Sequence, residues 1–300
     1  MYGLIAQGKV PRTLAVTTLA LTALILLAGC VASATNEDSE PATEFDNVED
    51  PHQPQPPSTV PAPAAPKPAL TLDERAAEKA AALTLEQKVA QLFVVTPEAI
   101  TEVGTATQAG EATKEALAAY PVGGLVYFKK NLLSADQTRE MIANSQTYAQ
   151  DACGLPLLVG VDEEGGTVSR IGGNPGFAIP NVGNMADVGA TNDPTQAQAV
   201  AQTIGGYLCD LGFNLNFAPD SDICGNPATD VMALRSFGTD PALVSDMVSA
   251  QVKGFANAGV LCCAKHFPGI GGMTGDSHEG AIVTQNTLDE LRIGELAPFE

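Results

Sequence analysis

Residues 157–170 read Leu157-Leu158-Val159-Gly160-Val161-Asp162-Glu163-Glu164-Gly165-Gly166-Thr167-Val168-Ser169-Arg170. The first five are apolar without polar alternation, which predicts a strand buried on both faces, as in a parallel sheet. Three acids follow at once. Charged residues gathered at the C-terminal end of such a strand sit where α/β enzymes assemble their sites.

The pattern repeats on either side. Strand-like runs fall at residues 92–95, 123–128, 213–218 and 260–264, and helical stretches at 135–149, 194–211 and 241–258. A helix start is also expected at Thr84, an N-cap with Gln87 three residues on, and order is expected from about Leu70. Pro219-Asp220-Ser221-Asp222 ends one strand and Lys265-His266 another. No glycine-rich turn with dinucleotide spacing follows the first strand. Gly269-Ile270-Gly271-Gly272 comes after Pro268 and runs into a loop, a poor phosphate cradle. The expected fold is therefore α/β, a TIM-type (β/α)8 barrel of which this chain carries about five of eight strands.

The N-terminal part is different in kind. Lys9 and Arg12 precede an uncharged, proline-free stretch at residues 14–28, too short for a bilayer span and suited to a signal-peptide core. It ends in Leu27-Ala28-Gly29-Cys30, which resembles a bacterial lipobox and implies cleavage after residue 29 and lipidation of Cys30. An uncleaved membrane anchor is the alternative, and both place the remainder outside the cytoplasmic membrane. Residues 31–68 hold nine prolines and seven acids with Phe45 as the one aromatic. Such a segment cannot bury enough apolar surface to offset its ordering entropy, so residues 30–69 read as a disordered tether and residues 70–300 as the barrel domain.

A net charge of −20, from 35 acidic and 15 basic residues, excludes a phosphate backbone as partner, because no basic stripe exists to meet it. Cys153, Cys209, Cys224, Cys262 and Cys263 match no zinc spacing, and no metal or cofactor is expected. Cys209 and Cys224 can pair in an oxidising compartment, and the adjacent Cys262 and Cys263 read as buried small hydrophobes.

Four local patterns occur in order: Asp162-Glu163-Glu164-Gly165-Gly166-Thr167-Val168-Ser169-Arg170; Asn214-Leu215-Asn216-Phe217-Ala218-Pro219-Asp220-Ser221-Asp222; Arg235-Ser236-Phe237; and Lys265-His266-Phe267-Pro268-Gly269 followed by Asp276-Ser277-His278. Together they resemble the β-N-acetylhexosaminidase (N-acetylglucosaminidase) branch of glycoside hydrolase family 3, across residues 85–299. The resemblance implies that Asp162, Arg170, Arg235, Lys265 and His266 hold a terminal N-acetylglucosamine, with Glu164 and Asp222 as scaffold. Charged donors and acceptors of this kind suit a ring of hydroxyls. It also implies retaining hydrolysis in which His278 is the acid/base, oriented by Asp276, on a glycine-flanked loop able to close over the sugar. Imidazole titrates near pH 6.5, which suits that task.

Two departures stand out. Ile270 takes a place the family commonly gives to histidine. After His278, moreover, nothing matches the family's aspartate nucleophile, and neither Asp220 nor Asp289 stands where it belongs. The chain as written is therefore expected to have little or no hydrolase activity. A family 3 β-glucosidase, a glycoside phosphorylase and a non-catalytic, lipid-anchored glycan-binding protein are the alternatives. Asn226-Pro227 reads as a turn, and residues 288–300 as a helix ending in Leu296-Ala297-Pro298-Phe299.

Overall fold

The computed structural model describes residues 70–224, 232–272 and 283–300. Five strands, β1 (Val94–Val95), β2 (Gly124–Tyr127), β3 (Leu158–Val161), β4 (Leu215–Asn216) and β5 (Leu261–Cys262), form one parallel sheet in the order β1-β2-β3-β4-β5. Every neighbouring pair is parallel, with Leu125 opposite Val159 and Val161 opposite Asn216. A doubly wound sheet reverses its strand order part-way; here each strand lies next to its predecessor, as in a barrel wall. Five parallel strands in sequential order, alternating with helices, are the wall of a TIM-type barrel among the described residues.

The helices follow from their ends. α1 (Leu72–Ala82) and α2 (Leu85–Ala90) each open with a capping box, on Thr71 with Glu74 and on Thr84 with Gln87. The short helices α3 (Pro97–Thr101) and α4 (Glu111–Ala119) lie between β1 and β2. α5 (Ala135–Cys153) is capped by Ser134 and stopped by Gly154 at φ 71°. After the short α6 (Met185–Gly189), α7 (Pro194–Leu211) and α8 (Pro241–Asn257) each begin with an aspartate cap and proline at the first position. α7 and α8 pack closely because Gly254 faces α7: a Cβ there would lie 2.6 Å from that of Ala201. α5 buries Thr138, Met141, Ile142, Ser145 and Ala149, a stripe at helical spacing against the sheet.

The core lies between sheet and helices, with Leu125, Tyr127, Val159, Val161, Ile204, Phe213 and Phe255 almost wholly enclosed. Tyr127 meets Phe213 edge to face, its hydroxyl lies 3.0 Å from Ser145 Oγ, and burial pushes its pKa up to about 12.

Several expectations are corrected. Residues 92–95 do not form a buried strand: β1 is two residues long, and Leu92 is 82% exposed on the open edge of the sheet. At the other edge Leu261 is 60% exposed. Cys263 is likewise exposed and Cys262 only half-buried. α5 runs past residue 149 to Cys153, and residues 288–300 divide into α9 (Leu288–Ile293) and a 3-10 turn at Ala297–Phe299. The leader, the tether, Cys30 and Asn226-Pro227 lie outside the described residues, which all belong to one compact unit, Lys67–Glu300. Among the described residues no helix is long and apolar enough to cross a membrane.

Candidate active site

Two asparagines join the strand ends that carry the site. Asn214 accepts from the Val159 amide at 2.7 Å and donates to the Leu157 carbonyl at 2.9 Å. Two residues on, and so on the same face of the strand, Asn216 accepts from the Glu163 amide at 3.0 Å and donates to its carbonyl at 2.8 Å. Their side-chain amides extend the ladder between β3 and β4 beyond the short strands and lock the acidic segment in place.

Gly165 and Gly166, at φ 97° and 55°, then turn the chain back sharply. A side chain on either would strike the segment around Val182–Asn184. The return brings residues 169–172 around the Glu163 carboxylate. Glu163 accepts from Ser169 Oγ, from the amides of Arg170, Ile171 and Gly172 at 2.6, 3.0 and 2.8 Å, and from the Tyr207 hydroxyl at 2.8 Å. Burial and the nearby Glu163 push the Tyr207 pKa up, so the phenol remains a donor. Arg170 is thereby fastened to the residue between Asp162 and Glu164. Its guanidinium has no hydrogen-bond or ion-pair partner among the described residues.

The remaining charges form one network. Lys265 Nζ lies 2.6 Å from Asp162 Oδ1 and 2.7 Å from Glu164 Oε1. Arg235 donates to Glu164 through Nε and Nη2, both at 2.8 Å, a bidentate pair of high directional specificity. Burial works against the Arg235 charge, but the hydrogen bonds and charge of Glu164, with Asp220 and Asp222, raise its pKa overall. His266 sits between these groups, its Nε2 3.4 Å from Arg235 Nη2 and its Nδ1 2.6 Å from Asp222 Oδ2. Asp222 is fixed in turn by amides: Ile270 N donates to its Oδ1 at 2.6 Å, and its own N donates to Asp220 Oδ1 at 3.0 Å. Ser236 latches the arginine turn to the Asp222 carbonyl at 2.6 Å while Phe237 is buried in a second apolar cluster. The Arg-Ser-Phe sequence thus supplies the cation paired with Glu164, a latch and an anchor.

Of the residues singled out from sequence, Asp162, Arg235, Lys265 and His266 share this network. Glu164 and Asp222 are the carboxylates that hold it together, and Arg170 stands apart with its charge uncommitted. Asp276 and His278 lie outside the described residues. Ile270, the departure in the glycine-rich stretch, packs against Cys224, Met232 and Ala233. Sequence reasoning missed Glu163 and Tyr207 as the loop's anchor, and Asn216 as a strand lock. The available signal was a polar residue at every second position of an otherwise apolar strand. Asp220, Asp222 and His266 bring ligand-type atoms within 4.8 Å of one another, but the cation beside them is the Arg235 guanidinium, 3.4 Å from Asp220 Oδ2.

Comparison with known proteins places this geometry. Residues 84–300 match the model described as the glycosyl hydrolase family 3 N terminal domain. β-Hexosaminidase A of Pseudoalteromonas piscicida is 40% identical over 190 residues, 62% of this chain and 31% of that protein. A solved glycoside hydrolase family 3 β-N-acetylglucosaminidase from Paenibacillus sp. aligns with a TM-score of 0.65 at 38% identity, over 73% of this chain and 39% of its own. NagZ of Neisseria gonorrhoeae, solved in complex with N-trifluoroacetyl-D-glucosamine, aligns with a TM-score of 0.58 at 31% identity, over 69% of this chain and 58% of its own. The chain spans between 31% and 54% of the length of the first curated relatives it matches. On the match that begins at residue 84 and on the strand order and site that agree with it, the chain belongs to glycosyl hydrolase family 3.

Proposed function

We propose that the protein hydrolyses terminal β-linked N-acetylglucosamine, or a related N-acetylhexosamine, from glycans such as peptidoglycan. One observation carries the reading: Asp162 after β3, Arg235 before α8, and Lys265 and His266 after β5 converge, tied by Glu164, while the Arg170 guanidinium has no partner among the described residues. A pyranose offers neighbouring hydroxyls that both donate and accept. Asp162 accepts from them, and Arg170, Arg235 and Lys265 donate in charge-assisted hydrogen bonds. The names of the curated relatives, β-hexosaminidases, and the glucosamine derivative bound to the Neisseria structure support this ligand class.

The chemistry follows a retaining course: an aspartate of the family's type, which residues 1–300 do not match, attacks the anomeric carbon as His278, oriented by Asp276, protonates the leaving oxygen, and water deprotonated by His278 then displaces the aspartate and releases the sugar. In a chromogenic assay the complete protein is expected to turn over the β-N-acetylglucosaminide far faster than the β-glucoside, and His278→Ala to lose that turnover. Equal rates on the two substrates, or full activity in the variant, would sink the proposal. Acceleration by inorganic phosphate would move it to phosphorolysis.

The residues before the barrel place the enzyme. Cleavage after Gly29 and lipidation of Cys30 leave it on the outer face of the cytoplasmic membrane, held by the tether of residues 30–69. Mass spectrometry of the membrane-extracted protein should find a lipidated Cys30 at the N-terminus. An intact residue 1–29 segment would contradict this.

A further inference from the structure

Among the described residues, three buried side-chain atoms have no hydrogen-bond partner: Glu98 Oε2, Asp220 Oδ2 and Ser221 Oγ. Two of the three are adjacent, in the segment that follows β4 and carries Asp222. The Asp220 side chain is wholly inaccessible to solvent. Its Oδ1 accepts the Asp222 amide at 3.0 Å, and its Oδ2 lies 3.4 Å from Arg235 Nε. That contact is not a hydrogen bond, because the single Nε–H points to Glu164 Oε2 at 2.8 Å. The backbone prevents the carboxyl from withdrawing: the Lys265 amide donates to the Pro219 carbonyl at 3.0 Å and the Ser221 amide to the Lys265 carbonyl.

The charged groups around Asp220 come from every neighbouring strand end. Asp222 is on its own segment, Glu164 follows β3, Arg235 precedes α8, and Lys265 and His266 follow β5. One Asp220 oxygen, one Asp222 oxygen and a His266 ring nitrogen lie within 4.8 Å of one another. Arg235 is committed to Glu164 and Lys265 to Asp162 and Glu164. An ionised Asp220 would be a further buried carboxylate with one oxygen facing no N–H, beside a second carboxylate, an arrangement that costs several kcal/mol. Burial and then Asp222 push its pKa well up, and Arg235 offsets this only in part.

We propose that Asp220 sits in the resting site as a neutral carboxylic acid and acts as a positioning residue, leaving Arg235 bidentate on Glu164 and His266 on Asp222. The consequence for ligand binding rests on the sugar-binding reading above. When Asp220 ionises as pH rises it competes with Glu164 for the guanidinium, draws Arg235 away from His266 Nε2, and the site loses affinity for the sugar. Asparagine at 220 keeps the neutral shape at every pH, so Asp220→Asn separates a loss that originates in Asp220 from one that originates elsewhere in the site.

The test has two arms on the full chain. Infrared spectra with isotope-labelled aspartate should show a protonated, buried carboxyl at neutral pH that is absent from Asp220→Asn and disappears from the wild type as pH rises. N-acetylglucosamine affinity, followed by calorimetry, should fall at least about fivefold in the wild type over the same pH rise that removes the carboxyl band, and stay flat in Asp220→Asn. No protonated band in the wild type overturns the proposal. So does an Asp220→Asn chain that fails to fold, or one that loses affinity about tenfold already at neutral pH, since both mean Arg235 relied on the charge. A band present in a wild-type chain that binds no sugar at any pH supports the neutral acid and overturns the sugar-binding reading.

Discussion

Glu163 and Asp220 are both buried acids, at the ends of neighbouring strands, and their surroundings differ sharply. Glu163 accepts five hydrogen bonds, three of them from consecutive backbone amides. Asp220 accepts one, and its second oxygen meets a guanidinium already directed elsewhere. The donors around Glu163 replace the water it gave up on folding; those around Asp220 do not. Burial by itself therefore does not determine what an acid contributes. Glu163 organises a loop, whereas Asp220 adjusts the charge of the site. The saturated group holds Arg170 in place, and the undersaturated one lies beside Arg235, Asp222 and His266.

The largest expected effect tests the first half of that contrast. Glu163→Ala leaves the amides of Arg170, Ile171 and Gly172 buried without their acceptor, and the chain should lose about 3–5 kcal/mol of stability in urea unfolding. A loss under about 1 kcal/mol would show that the loop supports itself. Tyr207→Phe removes one of the five donors and should cost less, about 1–2 kcal/mol, because the other four remain. An effect of opposite sign, and one that grows with pH, is expected at Asp220. Its pKa is raised on folding, so its contribution to stability is present below the ordinary carboxylate range near 4 and is lost as pH rises through the folded value. Asp220→Asn lacks that loss. Thermal melts should therefore show the variant gaining on the wild type as pH climbs above about 4; a variant that falls behind with rising pH would mean Asp220 is an ionic partner of Arg235.

How far the sequence could be read divides along the same line. The central strands, the three long helices and the charged residues at the strand ends were legible, because apolar runs, aspartate and serine caps and helix-stopping glycines are local signals. The edges were not. Residues 92–95 have the composition of a buried strand, yet Leu92 and Val94 face outward, since what covers a strand depends on its neighbours and not on its own residues. Similarly, the vicinal Cys262 and Cys263 lie in an apolar run that ends at the edge strand β5. In the site, the identities of the cluster members were legible as a motif, but their division of labour was not. Nothing in Asp162-Glu163-Glu164 indicates that the middle acid turns inward onto a loop while its neighbours meet Lys265 and Arg235. Pairing between Asp222 and His266 spans 44 positions and exists only in the folded chain. α1, α3, α4 and α6 were missed for a simpler reason: they are short or, for α1, bury no residue, so little apolar periodicity marks them.

The most direct test of the account is binding of N-acetylglucosamine to the chain and to its Arg170→Ala variant, with urea unfolding of both in parallel. Arg170 is a cation of the site with no side-chain partner among the described residues, so its removal should weaken sugar binding at least about tenfold, roughly 1.4 kcal/mol or more, and leave the unfolding midpoint where it was. Undiminished affinity in Arg170→Ala, or a fall in stability matching the loss of binding, would show that these side chains form a structural ion network and not a sugar site.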